Sequence, residues 1–94
     1  MSMPRYAAKR DDNEPELVEY ARAIGWFLHK LDEPCDWLGL WRGAWSPIEI
    51  KSATGDLTPK QHMFHADAKK RNGRVLMWRS KDDVDRDSGA RRTA

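Results

Sequence analysis

The stretch from Asp36 to Ser52 constrains the fold more than any other part of the chain. Two apolar-rich runs, 36–41 and 45–52, flank the dipeptide Arg42-Gly43. A two-residue loop containing Gly joins antiparallel strands because its backbone twist matches theirs. If Trp41 pairs with Ala44 across this turn, counting outward sets Asp36 opposite Glu49, their Cβ atoms about 4.5–5.5 Å apart. Lys51 falls on the same face two residues further on, because side chains alternate with a period of two. A longer loop or a bulge at Pro47 would shift the pairing by one residue. Glu49 and Lys51 alternate with Ile48 and Ile50, which gives this strand one apolar face and one ion-bearing face. Two opposed carboxylates repel each other unless a cation lies between them, and such oxygen donors suit Mg²⁺ or Mn²⁺.

The flanking sequence supplies helices. Asn13-Glu14-Pro15-Glu16 reads as a helix start, with Asn13 as N-cap, Pro in the first turn and Glu16 as capping-box partner. This helix is expected to run to Ile24 and stop at Gly25. Residues 26–31 read as a first strand, followed by a turn at Asp32-Glu33-Pro34. Thr58-Pro59-Lys60-Gln61 repeats the start signal for a second helix that reaches about Asn72 and ends at Gly73. Residues 74–79 read as a fourth strand, with a short helix beginning near Ser80. The predicted order is α-β-β-β-α-β, an α/β fold with a mixed sheet flanked by helices. The expected organisation is a flexible arm over 1–12, one domain over 13–84 and a disordered basic tail over 85–94.

Charge follows this division. Residues 13–57 carry four basic and eight acidic groups, whereas 58–94 carry ten and five, so an acidic middle precedes a basic C-terminal third. A metal site needs the first and a polyanion needs the second. With one cysteine, Cys35, an intramolecular disulfide is excluded and a zinc site is not expected. Neither a secretory leader nor a membrane-length apolar run is visible, so a soluble, cytoplasmic protein of a bacterial or phage-infected cell is expected.

The succession Asn13-Glu14, Asp36, Glu49-Ile50-Lys51, Gly55, Leu57-Thr58-Pro59-Lys60-Gln61 and Val75-Leu76-Met77-Trp78-Arg79-Ser80 resembles the VRR-NUC family of PD-(D/E)xK nucleases, in particular its small stand-alone phage and bacterial members. The resemblance spans Asn13 to Val84. It implies a restriction-endonuclease-like core and hydrolysis of DNA phosphodiesters, with Mg²⁺ or Mn²⁺ held by Asp36, Glu49 and the carbonyl of Ile50. It also implies a carboxylate from the first helix, for which Glu14 is favoured over Glu16 because it shares a face with Val18 and Ala21. Lys51 would orient or deprotonate the attacking water, and Gln61 would sit near the scissile phosphate. One departure is Cys35, where the family usually has Pro before the metal-binding Asp.

Gln61 shares a helical stripe with Phe64, His65 and Ala68, so it either caps its helix or reaches the site; His65 is expected to make a core hydrogen bond. Lys60, Lys69, Lys70, Arg71, Arg74 and Arg79 are candidate phosphate contacts, which confer affinity without sequence specificity. Of the five Trp residues most are expected in the core. Their surplus apolar surface, with the stand-alone relatives' association with junction resolution, suggests a homodimer acting on branched or four-way DNA. The alternative is a non-catalytic nucleic-acid-binding subunit that keeps the nuclease fold.

Overall fold

A computed structural model describes residues 12–89. The elements are α1 (Glu14–Ile24), β1 (Phe27–Lys30), β2 (Trp37–Trp41), β3 (Ala44–Ile50), α2 (Pro59–Lys70), β4 (Leu76–Trp78) and α3 (Lys81–Ser88). The strands form one sheet in the order β1-β2-β3-β4. The first three are antiparallel, and β4 lies parallel to β3 after the crossover through α2. This is the mixed sheet with flanking helices read from the sequence.

The turn sets the register as expected. Arg42 and Gly43 both have positive φ, as a two-residue hairpin loop of matching twist requires. Trp41 pairs with Ala44 and the ladder continues without a bulge to Trp37 opposite Ile48. At the centre of β2, Gly39 allows close packing: a Cβ there would meet Ile48 Cδ1 at 2.6 Å and the Trp26 ring at 3.0 Å.

One face of the sheet packs on α1 and α3, and the core consists of Leu17, Val18 and Ala21 with Trp26, Leu28, Trp37, Ile48, Ile50, Leu76, Trp78 and Val84. Three Trp residues are buried there and Trp41 packs against them, which leaves only Trp45 exposed. The surplus aromatic surface expected to drive dimerisation is thus mostly consumed by the chain itself.

Three boundaries differ from expectation. Asn13 stands at the N-cap of α1 but makes no capping bond. Its Nδ2 instead donates to the carbonyls of Lys51 and Arg79, both at 3.0 Å, and so ties the helix to the ends of β3 and β4. Glu16, the expected capping-box partner, faces Lys81 at 3.4 Å. The second helix stops at Lys70, and it is Asn72, not Gly73, that takes the left-handed conformation. Residues 85–88, placed in a disordered tail, continue α3 to Ser88. Three long-range bonds hold them: Tyr20 donates to Asp85 at 2.6 Å, Trp26 Nε1 to Ser88 Oγ at 2.7 Å and Trp78 Nε1 to Asp87 at 3.0 Å. The expected arm up to residue 11 and the tail beyond 89 lie outside the described residues. Among the described residues no helix is long and apolar enough to cross a membrane.

Candidate active site

The ion-bearing face of β3 is formed where the hairpin ladder ends. Ile48 and Ile50 enter the core, so Glu49 between them points to the opposite face. That face is not open at this point, because α2 lies over it. Glu49 is 0% exposed, and Asp36, one residue beyond the ladder, is also buried. Asp36 Oδ2 accepts from Ile50 N at 2.9 Å, which fixes its carboxylate against the strand that carries Glu49. Burial, reinforced by the charge of Asp36, pushes the Glu49 carboxyl up to about 8, and Lys51 partly opposes the shift.

Gln61 performs both of the roles between which the sequence left a choice. Its side-chain oxygen accepts from Thr58 N at 2.9 Å while Thr58 Oγ1 accepts from Gln61 N at 3.2 Å, a complete capping box. Its Nε2 donates to Glu49 Oε1 at 2.9 Å. One side chain therefore starts the helix and fastens it to the site. One turn later, His65 Nε2 lies 3.6 Å from Glu49 Oε2, too far for a hydrogen bond, and both atoms are buried without a partner. The core hydrogen bond expected of His65 is not made through Nε2. Burial, followed by His62 and Lys51, lowers the pKa of its ring. His65 was the site neighbour that sequence reasoning undervalued; its spacing of four from Gln61 was the available signal.

Glu14 is buried, as favoured, and Glu16 is exposed. Glu14 accepts from Trp37 Nε1 at 2.6 Å, and Trp37 belongs to the core face. Glu14 is thus engaged by a core side chain of β2, and it forms no three-carboxylate cluster with Asp36 and Glu49 among the described residues. Among the described residues no group of three or more His, Cys, Asp or Glu side chains is arranged to hold a metal ion. Two carboxylates and the carbonyl of Ile50 remain as the candidate donors. A divalent cation suits them, because Glu49 presents a buried oxygen with no partner toward a face it shares with a second carboxylate. Cys35 is buried and donates to the carbonyl of Trp37 at 3.4 Å; burial raises its thiol pKa, so it serves the backbone here.

The expected phosphate contacts divide. Lys69, Lys70 and Arg71 are exposed at the end of α2, with Arg71 donating to the carbonyl of Asp67. Lys60 faces Glu33 at 3.5 Å and Arg74 faces Asp87 at 3.5 Å. Arg79 serves another purpose: its Nη1 donates to the carbonyls of Ser52 at 2.6 Å and Gly55 at 2.7 Å, which shapes the loop after β3.

No family model matches the sequence, and no curated protein does so. Among solved structures, one described as a VRR_NUC domain is similar to the chain, with a TM-score of 0.64 and 27% identity over 79% of this chain and 91% of that one.

Proposed function

The chain has the fold of a VRR-NUC nuclease domain, and on that premise we propose that it is an endonuclease that hydrolyses DNA phosphodiesters with Mg²⁺ or Mn²⁺ bound by Asp36, Glu49 and the Ile50 carbonyl. The observation that carries this reading is the fully buried Glu49, whose Oε2 makes no hydrogen bond and faces only His65 Nε2 at 3.6 Å, while Asp36 adds a second carboxylate beside it. A strand gains nothing in stability from such a pair, and desolvation makes it costly. When bound, the ion would offset that repulsion, act as Lewis acid toward the phosphoryl oxygens and lower the pKa of water.

The chain's own residues supply the rest. The Ile50 N–H holds Asp36 in place, and Gln61 holds Glu49 by Oε1 and leaves Oε2 for coordination. Asn13 fixes the backbone at Lys51. The Lys51 ammonium, on the same face two residues from Glu49, stabilises negative charge that builds on the phosphoryl oxygens as water attacks and the leaving oxygen departs. Glu14 acts through Trp37 and is not assigned to the ion.

Exposed Lys69, Lys70 and Arg71 would meet the phosphate backbone, and with no base-reading module among the described elements the substrate is selected by shape. The core takes up four of the five Trp residues, so a homodimer is proposed only because its two-fold symmetry would match that of a four-way junction. The test is a labelled panel of linear, flapped, single-stranded and four-way DNA with Mn²⁺, Mg²⁺ or chelator, run beside light scattering. Metal-dependent cuts in the branched substrates support the proposal. Retention of every substrate uncut, with DNA still bound, would assign the chain to the non-catalytic alternative.

A further inference from the structure

Two of the exposed large apolar side chains among the described residues touch each other: Phe27 and Trp45 are 56% and 55% exposed, and their rings meet edge to face at 6.1 Å. They are joined through Leu40, which pairs with Phe27 on one side and Trp45 on the other, so the three form a row across β1, β2 and β3. The next row on the same face is His29, Leu38 and Pro47, and the row after that reaches Asp36 and Glu49. The sheet face therefore runs from the exposed aromatic pair past half-buried Leu38 and Pro47 to the point where α2 covers the carboxylates. From Trp45 to Glu49 is four residues of strand, about 13 Å. That equals about four nucleotides of stacked strand at 3.4 Å each, and fewer if the strand is extended.

We infer that Phe27 and Trp45 form a stacking platform for unpaired bases of the DNA strand that continues from the scissile phosphate. This deepens the nuclease reading and rests on it. The size of the patch favours a base over a protein. Two aromatic side chains a little over half exposed offer roughly 200–250 Å², against the ~800 Å² per partner that a stable protein interface buries. An added peptide strand is disfavoured too. β4 pairs only with Ile48–Ile50, which leaves residues 44–47 of β3 without a neighbour on that side, but Pro47 lies within this stretch and has no N–H to donate. No acidic residue stands in the two rows before Asp36 and Glu49, so a phosphate backbone approaching along them meets no carboxylate until it reaches the site. Stacking on aromatic rings accepts any base, consistent with selection by strand state and not by sequence.

The test is binding of a fluorescently labelled oligothymidylate of about ten nucleotides, measured by anisotropy with the parent chain, Trp45→Ala and Phe27→Ala in chelator. Far-UV circular dichroism melts confirm that each exposed substitution leaves the fold in place. Trp45→Ala is expected to weaken binding roughly five- to hundred-fold. An oligonucleotide with abasic sites should bind the parent as weakly as the normal one binds the variant, and the variant should no longer distinguish the two. Equal affinity of parent and Trp45→Ala, or a parent blind to abasic sites, would overturn the platform. So would light scattering in which the parent is a dimer and Trp45→Ala a monomer, since a second copy would then cover the patch. Metal-dependent cleavage by the parent is scored separately: its absence removes the nuclease reading and leaves the base-binding result standing.

Discussion

Replacing Gln61 separates the two roles that its side chain combines. Gln61→Ala removes the bond to Thr58 N, at a helix end exposed to water, and the bond to Glu49 Oε1, on a residue with no exposure at all. The first loss is that of half a capping box, ~1 kcal/mol or less. The second leaves a buried carboxyl oxygen unsatisfied, ~1–3 kcal/mol. Together they remove roughly 2–3 kcal/mol from a domain whose total stability is of order 5–15 kcal/mol. At about 4–8 °C per kcal/mol, the melting temperature should fall by roughly 10–20 °C. Gln61→Glu is the informative contrast. Glu completes a capping box as well as Gln does, but here it sets a third carboxylate beside Glu49 and Asp36. A carboxylate held among like charges has a folded-state pKa above its unfolded value, so its stability contribution is present at low pH and lost as pH rises through the folded pKa. The deficit of Gln61→Glu should therefore be small near pH 5 and large near pH 8. The assay is thermal melting by far-UV circular dichroism with chelator at both pH values. An alanine variant within ~0.5 kcal/mol of the parent, or a glutamate variant equally impaired at both pH values, would refute the double role.

Two further predictions follow from the same geometry. Burial beside Asp36 pushes the Glu49 carboxyl from its ordinary 4.5 up to about 8, so between those values the folded chain holds a proton that an unfolded chain releases. The stability of the metal-free protein, measured by urea unfolding, should therefore fall across that window, and Glu49→Gln should flatten the profile; a parent profile already flat would contradict the burial. Gly39→Ala should destabilise the fold by ~1–3 kcal/mol by crowding Ile48 and Trp26, and a neutral or stabilising result would show that the core there is looser than the contacts imply.

What was legible in the sequence was what local rules decide. The Arg42-Gly43 turn fixed a register with no bulge, and that register put Asp36 and Glu49 together. The Thr58-Pro59-Lys60-Gln61 start formed the capping box expected of it. Hidden features depended on partners distant in sequence. Asn13 reads as an N-cap until β3 and β4 offer it two carbonyls. Residues 85–88 read as the start of a disordered tail, yet Val84 and Ser88, four apart, are both buried and tie one continuous helix to the core. Glu14 was rightly placed on the inward face of α1, but nothing local reveals that the Trp37 indole, 23 residues away, donates to its carboxylate.

In the proposed nuclease, Asp36 and Glu49 act as one unit in cleaving DNA. The most direct measurement is single-turnover cleavage of a labelled branched DNA with Mn²⁺ or Mg²⁺ by the parent, Asp36→Asn, Glu49→Gln and the double variant. The parent should cut, chelator should stop it, and each single variant should lose about a thousandfold or more. The double variant should then be little worse than either, as for groups that act together. Cleavage by the parent that persists in chelator, or a single variant that cuts at the parent's rate, would contradict this reading.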